Sequence, residues 1–268
     1  MSQLAPEHVS HDVPRIDVRD VSLGYGTRRV LNGVDVGVRS GELVAVLGPS
    51  GSGKSTLLRI VAGLQQPDAG SVMIDGQALA GPRPDIALAF QDPCLLPWLS
   101  VEKNVAFGLG FKRQPSLSRS ARHERVTAAL DEVGLAHARH LAPSQLSGGM
   151  AQRAALARCL ARRPSTLLLD EPFGALDEVT RAGMQRLLVK VVRDTQAATL
   201  LVTHDIDEAL LVSDRIVVLG NQGALILQFP VRVPAPREAH VQALGALRIQ
   251  ILEALQDSMS RAPRPAHA

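Results

Sequence analysis

The chain is short of cysteine, lysine and aromatic side chains, and of long apolar runs. Only Cys94 and Cys159 occur in 268 residues, far apart and in no Cys-x-x-Cys spacing. Two such cysteines argue against a disulfide scaffold or a zinc site and favour a reducing compartment. No uncharged apolar run reaches the roughly 18 residues a membrane-spanning helix requires. The opening "MSQLAPEHVSHDVP" is polar and lacks the basic-then-apolar order of a secretory signal. Charge of one sign is lacking too: 29 basic residues face 26 acidic ones. A net charge of +3, with no long basic block, is no footprint for nucleic acid, and none is expected as a partner. Lysine supplies only Lys54, Lys103, Lys112 and Lys190, and the first of these sits in the most informative loop.

What is present is 46% hydrophobic residues, enough for one large domain or two small ones to bury a core without staples. From Ile16 the chain reads as short strands. "RIDVRDVSLGY" and "GVDVGVRSG" alternate, as half-exposed antiparallel strands do, whereas the unbroken "LVAVL" at 43–47 matches a buried parallel strand. A helix, "KSTLLRIVAGL", stops at Gly63, and "GSVMIDG" and "IALAF" are further strands. Between about 92 and 160 the pattern turns helical. Val126, Ala129, Leu130 and Val133 recur at helical spacing before Gly134, a C-terminal stop, and a second helix is expected from about Gly149 to Ala161. Strands return as "STLLLD", "ATLLVTH", "RIVVLG" and "ALILQF", with a helix near 180–195. This alternation predicts an α/β sheet with helices on both faces and a helical insertion in its middle. After the breaker-rich "FPVRVPAPRE", Leu244, Leu247, Ile251 and Leu255 predict a helix in 238–256. Without a strongly basic face, it should dock on the domain rather than on lipid. The polar ends, 1–14 and about 257–268, are expected to be disordered.

"GPSGSGKST" comprises Gly48, Pro49, Ser50, Gly51, Ser52, Gly53, Lys54, Ser55 and Thr56. It fits G-x-x-x-x-G-K-[ST] between a buried strand and a helix, the context the motif needs. Glycines let backbone N–H groups turn inward around phosphate oxygens, and the helix N-terminus adds a favourable dipole. Lys54 then contacts the β- and γ-phosphates and the Ser55 hydroxyl ligates Mg²⁺. A plain Gly/Ser turn is the bland alternative, and the flanking strand and helix argue against it.

"TLLLDEP" ends a buried strand in Asp170 and Glu171. Alone, an Asp-Glu pair is the polar start of a loop; downstream of a phosphate loop, Asp170 becomes a Mg²⁺ holder. Glu171 is then placed to deprotonate an attacking water. His204 closes the next apolar strand, so in a parallel sheet it emerges at the same carboxyl edge, where ligands bind, and as the third polar residue there it is expected to contact the γ-phosphate. "LSGGM", 146–150, opens a helix with Ser147 as N-cap and with Gly148 and Gly149 allowing close backbone approach.

Taken together, Tyr25, "GPSGSGKST", Gln91, "LSGGM", "LLLDE", "GALD" at 174–177 and His204 stand in an order that resembles the ATP-binding subunits of ABC transporters, across about residues 15–236. The resemblance implies a P-loop NTPase fold: a RecA-like core, an antiparallel β-subdomain and an inserted helical subdomain at about 92–160, followed by a C-terminal helix and flexible tail in 237–268. It implies a Mg²⁺-dependent ATPase at the cytoplasmic face of a bacterial inner membrane. Tyr25 stacks on adenine, and Glu171, His204 and Gln91 are catalytic. Ser55, Gln91 and Asp170 hold the metal. Two cassettes pair head to tail, so Ser147, Gly148 and Gly149 bind the partner's ATP and Asp177 lies across the interface. One copy of each motif makes half of such a pair, so a homodimer or a second cassette chain is expected, with two transmembrane permease subunits and, indirectly, a periplasmic solute-binding protein. Two positions depart from the family: Met150 replaces the signature's usual Gln, and Gly174 removes a hydroxyl from "GALD".

"LLPWLSVEKNVAFGL", "EPFGALDEVTRAGMQ" and "FPVRVPAPRE" are further similar to ATPases of importers for aliphatic sulfonates, taurine and nitrate, with sulfonates first. The alternative class, a soluble ABC ATPase of DNA repair or translation, calls for a second cassette or a long insertion. A P-loop kinase or GTPase leaves "LSGGM" and His204 unexplained. The apolar run after Gln91, with Leu95, Leu96 and the only tryptophan, Trp98, is either subdomain core or the surface that meets the permease. The resemblance favours permease contact along residues 91–99.

Overall fold

A computed structural model describes residues 13–174 and 176–260. The alternating segments form β1 (Ile16–Tyr25) and β2 (Arg28–Val38), paired antiparallel. They join β4 (Ala69–Ile74) and the two-residue β5 (Gln77–Ala78) in a four-stranded sheet of order β2-β1-β4-β5. Alternation is visible in burial: Val34, Val36 and Val38 of β2 are buried while Asp35 between them is exposed.

The unbroken apolar runs form the second sheet. β3 (Leu43–Leu47), β6 (Ile86–Ala89), β7 (Thr166–Asp170), β8 (Ala198–Val202) and β9 (Arg215–Leu219) are all parallel. An antiparallel edge strand, β10 (Leu225–Pro230), completes the order β10-β9-β3-β8-β7-β6. Period-two geometry divides β3 between two cores. Leu43, Ala45 and Leu47 face a core shared with the helical region; Val44 and Val46 face one shared with the first sheet and with α1 (Lys54–Val61). Burial on both faces explains why these strands read as continuous apolar runs.

The middle of the chain holds α2 (Val101–Ala106), α3 (Arg119–Glu132) and α4 (Gly148–Leu160), capped by Ser100, Ser118 and Ser147. On α3 the expected residues Val126, Ala129 and Leu130 are buried, and Gly134 follows at φ +67°. Next come α5 (Glu178–Thr195), capped by Asp177, and α6 (Ile206–Val212), capped by Asp205. α7 (Val241–Ser260) docks as expected: Ile251 is fully buried, Leu244, Leu247 and Leu255 pack beside it, and Arg248 bonds Asp207 of α6 at 3.0 Å. Arg237 fastens the preceding segment by donating to the carbonyls of Leu210 and Leu211 in the last turn of α6 and of Ser213 just after it.

Among the strands and α-helices of the described residues, β5, α2 and α6 escaped the sequence reading, and all are too short to show a period. α7 also runs through Ser260, past residue 257 where a disordered tail was expected. The remaining expected disorder, at 1–12 and 261–268, lies outside the described residues, as does Ala175 of "GALD".

Candidate functional site

The parallel strands bring four loops to one carboxyl edge. Gly48 follows β3, Gln91 follows β6, Asp170 ends β7, and His204 comes two residues after β8. The loop from Gly48 to Gly53 turns through positive φ at Gly51 (+80°) and Gly53 (+94°), a region an L-residue enters only with strain. Crowding adds to the demand at 53: a Cβ there would lie 2.6 Å from the Val30 carbonyl oxygen of β2. The two sheets therefore meet directly behind the loop.

Inside the loop, Lys54 Nζ donates to the carbonyls of Gly48 (2.9 Å) and Pro49 (3.0 Å). Burial pulls the ammonium's pKa below its ordinary value, while the nearby charges of Glu171 and Asp170 push it back up. Ser55 Oγ lies 3.0 Å from Asp170 Oδ1, joining the start of α1 to the end of β7. Burial raises the Asp170 pKa, the Ser55 hydroxyl lowers it, and Glu171 raises it further. The Ser52 hydroxyl is buried without a hydrogen-bond partner. An orphaned hydroxyl, a buried cation and inward-turned glycines fit a bound polyphosphate. Among the described residues no cluster of three or more His, Cys, Asp or Glu could hold a metal alone. Ser55, Asp170 and Gln91 instead supply a few hard oxygens, the donor set that suits Mg²⁺ sharing phosphate ligands.

Glu171 sits at φ +46°, its N–H bonded to the Val202 carbonyl of β8 at 2.9 Å. Its carboxylate meets two other site candidates, a pairing the sequence reading did not anticipate. Gln91 Nε2 donates to one oxygen at 3.4 Å, and His204 Nδ1 lies 3.1 Å from the other. Glu171, Gln91 and His204, separated by up to 113 positions in sequence, thus converge on one spot beside Lys54 and Asp170. Tyr25 stands at the end of β1, more than half exposed, its hydroxyl accepting from Gln65 Nε2 at 2.6 Å.

The signature residues lie elsewhere. Ser147 accepts from the Met150 N–H at 3.3 Å, and a Cβ on Gly149 would sit 2.6 Å from Thr180 Cγ2 of α5. Among the described residues no hydrogen bond joins 147–149 to the phosphate loop of the same chain. Asp177 accepts from the Thr180 N–H at 3.0 Å and is otherwise exposed. At Gly174 an added Cβ would have room, its nearest neighbour being the Glu171 carbonyl at 3.8 Å, so packing does not demand glycine there.

Three contributors went unnoticed in the sequence. Arg28 places Nη2 3.2 Å from where a Gly51 Cβ would be, bringing a guanidinium against the phosphate loop. Arg158 of α4 donates to the carbonyls of Pro93 and Cys94, both at 2.7 Å, tying the signature helix to the segment after Gln91. Fully buried Asn104 accepts from the Leu96 N–H (2.7 Å) and donates to the carbonyls of Leu96, Leu99 and Ser100 (each 3.1 Å). That side chain shapes the apolar run, which then divides. Leu95 packs on the core, whereas Trp98 is 75% exposed. Four of the seven aromatic residues, Phe90, Trp98, Phe107 and Phe111, fall between 90 and 111 and all are exposed.

Comparison with known proteins agrees with this geometry. The family model "ABC transporter" matches residues 31–174. The chain is 47% identical over 250 residues to the aliphatic sulfonates import ATP-binding protein SsuB 2 of Burkholderia cenocepacia (strain HI2424), covering 93% of this chain and 90% of that one. It is 44% identical over 228 residues to the nitrate import ATP-binding protein NrtD of Synechococcus elongatus, covering 83% of each. Among solved structures, the dimeric bacterial ABC transporter cassette MJ0796 superposes with a TM-score of 0.73 at 34% identity, over 81% of this chain and 99% of that one. No helix among the described residues is long and apolar enough to cross a membrane. With a RecA-like P-loop core, an antiparallel β-subdomain and inserted helices, the chain belongs to the ABC transporter family as an ATP-binding, ATP-hydrolysing subunit.

Proposed function

We propose that this subunit energises the import of aliphatic sulfonates across a bacterial inner membrane, working at the cytoplasmic face with two permease subunits and a periplasmic solute-binding protein. The observation that carries the solute class is the 47% identity over 93% of the chain to a protein named for sulfonate import. Nitrate is the second reading, favoured by the 44% identity to a nitrate import protein. Growth of a deletion strain on an alkanesulfonate as sole sulfur source, or on nitrate as sole nitrogen source, tests both. Loss of sulfonate growth alone is the expected result, and loss of nitrate growth alone replaces the first reading with the second.

In this reading Tyr25 stacks on adenine, residues 48–56 wrap the phosphates, and Lys54 neutralises their terminal oxygens. Ser55, Asp170 and Gln91 would hold Mg²⁺, whose charge would support phosphoryl transfer. Glu171 takes the proton of the attacking water, with Gln91 and His204 fixing the carboxylate between them. The single copy of each motif in the chain supports a head-to-tail pair of cassettes, taken here as a homodimer. In it Ser147, Gly148 and Gly149 of one protomer meet the ATP of its partner, and Asp177 crosses the interface. The exposed aromatics at 90–111, tied to Gln91 by chain continuity, support contact with the permease along residues 91–99.

A further inference from the structure

Behind Glu171 and His204 lies a polar cluster that the reaction as described leaves unused. Glu208, in the first turn of α6, is buried. It accepts from Thr203 Oγ1 at 2.8 Å, and Thr203 immediately precedes His204. Thr203 Oγ1 in turn accepts from the Asp205 N–H at 3.0 Å, so the hydroxyl spans the turn that carries the histidine. The other Glu208 oxygen faces Arg181 Nε of α5 at 3.6 Å. Arg181 Nη2 donates to the Leu176 carbonyl at 3.0 Å, the residue before Asp177. One buried carboxylate therefore touches, through one side chain on each side, both the histidine turn and the turn ahead of Asp177. A cavity of about 80 Å³ separates this cluster from Glu171.

Burial penalises the charged form of Glu208, and a stability role alone would be served as well by an apolar side chain. Arg181 Nε is buried and has no hydrogen bond, its only partner being the ion pair across 3.6 Å. At 3.6 Å the contact is an ion pair longer than a hydrogen bond, so charge rather than hydrogen-bond geometry links Glu208 to Arg181.

We propose that Glu208 is a positioning residue that couples the His204 turn to the Asp177 turn through Thr203 and Arg181. A shift of Asp177 at the partner interface then moves the histidine that fixes Glu171, and ATP bound in one half-site sets the geometry of the other. This rests on the roles given above to His204 and Asp177. If the wild-type chain hydrolyses no ATP, those roles fail first; the coupling is judged only by how the variants combine.

The experiment is steady-state ATPase kinetics on the full chain for Glu208→Gln, Arg181→Gln and the double variant, each also in a His204→Ala background. Glu208→Gln keeps an acceptor for Thr203 but loses the charge that faces Arg181. Expected are a kcat lowered about tenfold, KM within about twofold of wild type and a Hill coefficient moved toward one. The double variant should be no slower than either single variant, and Glu208→Gln should cost nothing further once His204 is gone. Arg181→Lys, which keeps the charge, should recover part of the rate. Wild-type kcat in Glu208→Gln, or losses that multiply in the double variant, would overturn the proposal. Should Glu208→Gln lack a cooperative thermal transition, Arg181→Gln and its combination with His204→Ala carry the same two outcomes.

Discussion

At the scale of single residues, Lys54 and Glu171 are near neighbours with opposite proposed tasks, and substitution should separate them. Lys54 is a buried cation whose nearest partners are two carbonyl dipoles and the carboxylates of Asp170 and Glu171. Lys54→Ala deletes a charge-assisted contact to phosphate, so ATP affinity should fall about 10- to 100-fold in a binding titration. Unchanged affinity would remove the phosphate-loop assignment. Glu171→Gln keeps its size and its place between Gln91 and His204 but cannot take a proton. ATP affinity should hold while turnover falls on the order of 100-fold or more, and an ATP-bound dimer should accumulate on gel filtration. Normal turnover would strip Glu171 of the base role. Both residues were legible in the sequence because their chemistry comes in motifs of fixed spacing. Arg28, Arg158 and Glu208 were not. Arg158 meets backbone carbonyls 64 and 65 positions away, Glu208 pairs with Arg181 on another helix, and no spacing encodes such contacts.

At the scale of elements, legibility followed length and period. The five parallel strands announced themselves as apolar runs because both faces are covered, and β2 through alternation because one face is not. α2, six residues long, offered neither pattern, yet it carries Asn104, which organises the apolar run after Gln91. Asn104→Ala would leave the Leu96 N–H and the carbonyls of Leu96, Leu99 and Ser100 without this partner. The expected loss is about 2–4 kcal/mol of unfolding free energy, measured by denaturant titration, since buried polar groups lose both partner and water. Asn104→Asp keeps the acceptor for Leu96 but sets a charge against three carbonyls, and should be no better. A change below about 0.5 kcal/mol, the range of ordinary surface substitutions, would mean that the run holds its shape without Asn104.

At the scale of the whole molecule, the chain has two unfinished surfaces. One is the edge where, among the described residues, 147–149 and Asp177 make no bond to the chain's own phosphate loop, and which a second cassette would complete in the proposed dimer. The other is the aromatic face at 90–111, and Trp98 is its test. Sequence alone could not divide that run between core and surface, because neither strand nor helix spacing governs it. In the fold, Leu95 turns inward while Trp98 stays 75% exposed. An exposed indole adds little to the stability of the free chain, so Trp98→Ala should shift unfolding by less than about 0.5 kcal/mol. ATP affinity should be unchanged as well, because no hydrogen bond links Trp98 to the phosphate loop among the described residues. If the permease covers that indole, truncation removes about 2 kcal/mol or more of buried apolar surface at the interface, a 30-fold or greater weakening. Co-purification with the permease from membranes should therefore fall sharply, and uptake with it, while the isolated subunit still hydrolyses ATP. An equal fall in ATP binding and permease association would instead make Trp98 a structural residue of the subdomain. Unchanged association would remove Trp98 as the anchor of the permease contact and leave Phe90, Phe107 and Phe111 as the exposed aromatics of that face.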